Sequence, residues 1–230
     1  MRYWNEPKNH TTRRIVLVAC SAVLAGAFTA VPQLARAAHI PLPDVPDRIQ
    51  VPEGNTPFLV GHATGTQNYT CLPCPNPTTR ADQCPDDSGF AWLLFTPEAT
   101  LFSDNGNQLT THFFSPNPDE DGKIRATWQH SKDSSIVWGG NATASTAATD
   151  PDFVADDAIA WLLLPMAGIQ GGRTGRDTLT ATTFIQRIHT SGGLAPLDGC
   201  AGLEDVGAKA FMPYTADYFF YTDHDTSRDN

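Results

Sequence analysis

Residues 99–114 read ATLFSDNGNQLTTHFF, and this stretch indicates the class of fold. Two runs of alternating apolar and polar side chains, 99–102 and 109–114, flank the tetrapeptide Asp-Asn-Gly-Asn at 104–107. Asn-Gly is a strong signal for a tight β-hairpin turn, because both of its residues tolerate a positive φ. The stretch therefore predicts two antiparallel strands joined by a short turn.

The same pattern continues on both sides of this hairpin. Residues 124–130 and 135–138 predict a second hairpin, and polar loops are predicted at 115–122 and 139–152. Further strands are predicted at 58–71, 90–95, 178–190 and 217–221, and at 158–164 as a strand buried on both faces or a helical turn followed by a strand. No segment keeps a helical period over a dozen residues. The chain is therefore predicted to be all-β, a single-domain sandwich or barrel with long polar loops, stapled by disulfides.

The N-terminus has the order of features typical of an export signal. Arg13 and Arg14 precede an apolar run at 15–31, and Ala35-Arg36-Ala37 follows as a cleavage site. We expect residues 1–37 to be a cleaved signal peptide and the mature chain to begin at Ala38. Three alternatives stay open: an uncleaved membrane anchor, a lipidated Cys20, and twin-arginine rather than general export.

Export places the protein outside the cytoplasm, in the periplasm or the extracellular space. The mature chain then divides into a Pro-rich extended lead-in at 38–57, a β-rich domain at 58–221 and a polar tail at 222–230. The expected form is a monomer.

The charge of the chain excludes one class of partner. The formal net charge is −10, and removing residues 1–37 leaves ten basic and 24 acidic residues, a charge of −14. A surface of this sign repels nucleic acid and anionic membranes. We therefore expect no nucleic-acid partner, and no membrane association once the leader is cleaved.

Four cysteines remain after the leader: Cys71, Cys74, Cys84 and Cys200. An even number in an exported chain predicts two disulfides, with three possible connectivities. The Cys-x-x-Cys spacing of the first two also fits a zinc or redox site. However, the other two are far apart, and the prolines that follow oppose the helix of a redox motif.

Several segments together resemble an exported bacterial and fungal family, domain of unknown function 3455. The segments are GTQNYTC at 65–71, PEATLF at 97–102, His112, Trp128, SIV at 135–137, IAWLLL at 159–164, IQRIHTSGGLAP at 185–196 with Cys200, and PYTADYFFY at 213–221. The resemblance covers residues 58–221 and implies a secreted single domain with no established activity to carry over. Residues 72–88 depart from the pattern with two extra cysteines, and 115–125 resemble an insertion.

The resemblance also favours one cysteine pairing. Cys71 and Cys200 belong to the shared pattern, whereas Cys74 and Cys84 lie in the local insertion. The predicted bridges are therefore Cys71–Cys200 and Cys74–Cys84.

No catalytic motif is present, and no catalytic residue, metal site or cofactor is predicted. The candidate binding residues are His112, Trp128 and Trp138, which lie on or beside the second hairpin, where an aromatic ring can keep one face open. The favoured function is a secreted or surface binding module for a carbohydrate or a small apolar ligand. A hydrolase or metal-dependent enzyme that uses His112 with nearby carboxylates is one alternative, and a structural envelope protein is another.

Overall fold

The computed structural model describes residues 40–74 and 89–223. These residues form antiparallel strands and three short 3₁₀ turns, and they contain no α-helix. The strands are β1 (Asn55–Pro73), β2 (Phe90–Phe102), β3 (Gln108–Asn117), β4 (Lys123–His130), β5 (Ile136–Gly139), β6 (Thr143–Ser145), β7 (Trp161–Gln170), β8 (Phe184–Gly192) and β9 (Lys209–Asp223). No helix among these residues is long and apolar enough to cross a membrane.

Eight of the strands close into a barrel. Their order is β5-β4-β3-β2-β1-β9-β8-β7, and β5 pairs with the second half of β7 to complete the ring. The short strand β6 pairs outside this ring with the first residues of β7. The all-β prediction is confirmed, and of the two architectures left open it is the barrel. Eight strands enclose an interior that side chains can fill, or that can hold one small ligand.

Both predicted hairpins are confirmed. In the first, Ala99 of β2 lies opposite His112 of β3, and Gly106 in the turn has a φ of 75°. In the second, Trp128 of β4 lies opposite Val137 of β5. Because β3 and β4 also pair with each other, the two hairpins form one continuous wall of the barrel.

One predicted strand is wrong at its start. Residues 178–190 were expected to be extended throughout, but β8 begins only at Phe184. The preceding residues form turns, in which Thr180 N bonds to the Asp177 carbonyl and Thr182 N to the Leu179 carbonyl. Leu179 is fully buried, so its apolar side chain enters the core from a turn. The alternating threonines of residues 178–183 have the sequence period of a strand, but their backbone forms turns.

The core has two layers. The larger cluster fills the barrel, while a second cluster lies on its outside, where Ile49 packs with Trp161 and Ile188. Ile49 belongs to the segment before β1, and its carbonyl accepts a 2.7 Å hydrogen bond from Gln186 Nε2 on β8. The lead-in therefore covers the outer face of the barrel, and β1 begins at Asn55, earlier than the predicted Phe58.

The predicted Cys71–Cys200 disulfide is formed, with a sequence separation of 129 residues. It ties the end of β1 to the loop that follows β8. The predicted Cys74–Cys84 bridge lies outside the described residues, because Cys84 falls in the segment 75–88. The leader at 1–37 and the tail after Asp223 also lie outside them.

Candidate functional site

Two rows of cross-strand neighbours face each other inside the barrel. On one wall, His112 lies between Ala99 of β2 and Trp128 of β4. On the opposite wall, Arg187 of β8 lies between Leu162 of β7 and Tyr218 of β9. Side chains alternate along a strand, so residues paired across a ladder point to the same face. Both rows point inwards.

The aromatic rings of the two rows meet in the interior. The His112 imidazole stacks on the Trp128 indole, with a centroid distance of 4.3 Å and an interplanar angle of 12°. Tyr218 approaches from the other wall, 5.4 Å from His112 and 5.8 Å from Trp128. The stacked pair therefore has a fixed orientation, held by its neighbours on both sides.

His112 is a neutral imidazole at physiological pH. Its side chain is 4% exposed, and Nδ1–H donates a 2.9 Å hydrogen bond to the Thr127 carbonyl. Burial, which disfavours the charged form, lowers the pKa of His112 to about 3, with a smaller contribution in the same direction from the positive charge of Arg187 and an opposing one from the Thr127 hydrogen bond. With the proton on Nδ1, Nε2 carries a lone pair and is a hydrogen-bond acceptor.

A cavity of about 340 Å³ lies beside this group. This volume falls in the range of small-molecule sites in proteins. Of the 18 lining residues, 11 are apolar or glycine, and seven carry a polar group in the side chain: Gln67, Tyr69, His112, Arg125, Trp128, Arg187 and Tyr218. Ile124, which also lines the cavity, is exposed, so the cavity reaches the surface at this end of the barrel.

The structure brings two of the three candidate binding residues together. His112 and Trp128 both line the cavity, but Trp138 does not. Trp138 alternates with the inward-facing Val137 and so points outwards, where its Nε1–H donates to Ser115 Oγ at 2.9 Å. Trp128 and Trp138 are 1% and 4% exposed, so neither ring offers an open stacking platform.

Five further polar residues of the cavity were missed from the sequence: Gln67, Tyr69, Arg125, Arg187 and Tyr218. The signal for Arg187 was present, because it lies two residues after the apolar Ile185 and therefore on the same face of the predicted strand. A charged residue at an inward position is uncommon and deserves a functional interpretation. That this face of β8 lines a cavity follows only from the closed barrel.

The family model described as protein of unknown function (DUF3455) matches residues 52–222. The chain belongs to this family. The match confirms the resemblance seen in the sequence. No curated protein and no solved structure matches the chain, so the DUF3455 assignment brings no activity with it.

Other histidines of this DUF3455 protein contact carboxylates, but not at the cavity. On the outer face, Asp217 accepts hydrogen bonds from His62 Nδ1 at 2.6 Å and from His189 Nδ1 at 2.8 Å. His62 Nε2 also lies 2.8 Å from Asp104, and these carboxylates raise the pKa of His62. Within the described residues, no group of three or more His, Cys, Asp or Glu side chains is arranged to hold a metal ion.

Proposed function

We propose that this protein is a binding module that takes up a small apolar molecule inside its barrel. The observation that carries the proposal is the cavity beside the stacked His112–Trp128 pair. Closed eight-stranded barrels hold single small ligands in this way. Aromatic and aliphatic walls supply the hydrophobic driving force, while a few polar side chains orient the ligand.

The burial of both tryptophans favours a small molecule over a carbohydrate. A sugar ring stacks on an open aromatic face, and here the indole of Trp128 is covered by the imidazole of His112. A ligand in the cavity meets the edges of these rings together with aliphatic side chains such as Leu162 and Leu164. This environment suits a molecule with a compact apolar body.

The hydrolase alternative has less support. It requires a carboxylate beside His112, but none of the described residues that line the cavity is an Asp or Glu. The hydrogen bond of His112 Nδ1 goes to a backbone carbonyl instead. A closed surface without a cavity would have favoured the structural-protein alternative, so that alternative has less support than binding.

Secretion is part of the proposal. The Cys71–Cys200 bridge fits an oxidising compartment, since cytosolic thiols are kept reduced. N-terminal sequencing of protein recovered outside the cytoplasm is expected to begin at Ala38. A chain that retains Met1, or that carries a lipid on Cys20, would contradict the leader assignment.

Binding can be tested with N-phenyl-1-naphthylamine, a neutral fluorophore whose emission rises in apolar surroundings. The mature protein is expected to enhance its emission with saturation at one equivalent. Ala126→Phe places a phenyl group in the cavity wall and is expected to reduce the affinity at least tenfold. In the control, Thr215→Phe, the same group is added on the exposed outer face, between the inward-facing Tyr214 and Ala216.

Absence of saturable enhancement in the wild-type protein, together with no binding of other small apolar probes, would overturn the proposal. Equal loss of binding in both variants would also oppose it, because the fluorophore would then be bound outside the barrel or through partial unfolding. Melting temperatures of both variants, measured by circular dichroism, identify the second case.

A further inference from the structure

Arg187 is a buried positive charge in the cavity wall. Its side chain is 9% exposed, and Nε and Nη2 both donate to the Ala160 carbonyl, at 3.1 and 2.7 Å. Every ion pair found among the described residues involves other groups, so no carboxylate there neutralises the Arg187 guanidinium. A buried charge without a counter-charge is costly, and proteins usually pair it.

Two other residues that line the same cavity each carry a buried hydrogen-bond donor without a partner among the described residues. Gln67 Nε2 and Trp128 Nε1 are fully buried, and neither has an acceptor among the described residues. Both residues line the cavity together with Arg187. An amide NH₂ and an indole N–H can only donate, so they require an acceptor atom. Buried polar atoms without a partner are rare in folded proteins.

The lining residues supply no negative charge to satisfy these donors. Those that the structure describes include no Asp or Glu. Tyr69 lines the cavity as well, but burial raises its pKa and its hydroxyl donates to the Gly193 carbonyl at 2.7 Å. Arg125, the other lining cation, is already paired with Glu120 at 2.6 Å. One uncompensated positive charge therefore remains, at Arg187.

We propose that the natural ligand of the barrel is a small apolar monocarboxylate, and that Arg187 binds its carboxylate group. This inference rests on the proposed function and names the chemical class of the ligand. A carboxylate supplies the missing negative charge, and its two oxygens accept hydrogen bonds from a guanidinium and from neighbouring N–H donors. A single charge matches the single unpaired cation, whereas a phosphate dianion would leave an excess negative charge in an apolar cavity. The aliphatic walls then enclose the rest of the molecule.

The test compares two probes that share a skeleton and differ in charge: 4-phenylbutanoate and 4-phenylbutan-1-ol. Isothermal titration calorimetry with the mature protein at pH 7.5 is expected to give at least tenfold tighter binding of the carboxylate. Arg187→Gln removes the charge and is expected to abolish that preference while changing the affinity for the alcohol less than threefold. Arg187→Lys keeps the charge without the planar fork and is expected to retain part of the preference.

Arg125→Gln is the matched control. Arg125 also lines the cavity, but its charge is already neutralised by Glu120, so the preference for the carboxylate is expected to persist. Loss of the preference in Arg125→Gln but not in Arg187→Gln would overturn the assignment of the anchor. The comparison of the two probes in the wild-type protein needs no variant, and it remains decisive if Arg187→Gln fails to fold.

The failures of the two proposals are distinguishable. If wild-type protein binds N-phenyl-1-naphthylamine but shows no preference for the carboxylate probe, the barrel is a binding module and the inference about an anionic ligand is wrong. If neither the fluorophore nor either phenylbutyl probe binds, the proposed function itself is wrong.

Discussion

The buried His112 predicts a specific dependence of stability on pH. Its pKa is near 6.5 in the unfolded chain and about 3 in the folded protein. As pH falls below the unfolded value, the unfolded chain takes up a proton that folded His112 does not bind. Protonation therefore favours unfolding, and the folded state loses stability progressively until the pH reaches the folded pKa.

The magnitude follows from the two pKa values. The slope approaches about 1.4 kcal/mol per pH unit, and between about pH 7.5 and 4.5 the loss of unfolding free energy is roughly 2–3 kcal/mol. Carboxylates with a lowered pKa, such as Glu120, also begin to lose their stabilising contribution as pH falls toward their unfolded pKa, and the comparison of wild type with a histidine variant cancels that contribution. His62 acts with the opposite sign. Its raised pKa gives stabilisation that is fully present below its unfolded pKa and is lost as pH rises through the folded value.

The assay is urea unfolding at several pH values, for the wild-type protein and His112→Asn. The asparagine amide can still donate to the Thr127 carbonyl but does not titrate. The wild-type unfolding free energy minus that of the variant is expected to fall by roughly 2–3 kcal/mol between about pH 7.5 and 4.5. In the control, His62→Asn, the wild-type unfolding free energy minus that of the variant is expected to increase as the pH falls from about 7.5 to 4.5. If the difference in unfolding free energy between wild type and His112→Asn does not change with pH, the imidazole is hydrated in the folded protein and the reasoning is refuted.

Three further predictions concern the barrel itself. Replacing Cys71 and Cys200 together with serine opens a loop of 129 residues and is expected to cost about 4–5 kcal/mol in denaturant unfolding, if the reduced chain has little residual structure. Gly65→Ala places a Cβ 2.1 Å from the backbone carbonyl oxygen of Glu98 on β2, and it is expected to lower the free energy of unfolding by about 1–3 kcal/mol. In the control, Thr64→Ala at the adjacent exposed position, denaturant unfolding is expected to show a change of less than about 0.5 kcal/mol. Asp217→Asn removes the carboxylate that contributes most to the raised pKa of His62, so NMR titration is expected to show that pKa moving down; an unchanged value would contradict the contact.

The sequence predicted the local features of the fold well. The Asn-Gly turn and the alternating runs around it predicted the hairpin of β2 and β3, because turn chemistry and side-chain period act over a few residues. The same reasoning predicted the second hairpin. It failed at residues 178–183, where threonines alternate but the backbone turns, and Leu179 reaches the core without a strand.

The geometry of the candidate site depends on more than the two predicted hairpins. The sequence grouped His112 with Trp128 because they lie on neighbouring predicted strands, and the structure makes them cross-strand partners through the pairing of β3 with β4, which neither hairpin supplies. Trp138 was grouped with them through its position in the sequence. A shift of one residue along a strand changes the face of the sheet, and the structure places this ring on the outside.

The sequence by itself determined the all-β class, both hairpins, the family and the cysteine pair that is bridged, since each depends on local chemistry or on a shared pattern. Closure of the barrel was decided only by the tertiary structure, because the pairing of β5 with β7 joins segments whose spacing carries no signal. Closure also determined the site. It brought Arg187 from one wall to the same cavity as His112 and Trp128 from the other, and it left an unpaired charge inside. That juxtaposition arises from long-range strand pairing, which no short window of sequence encodes.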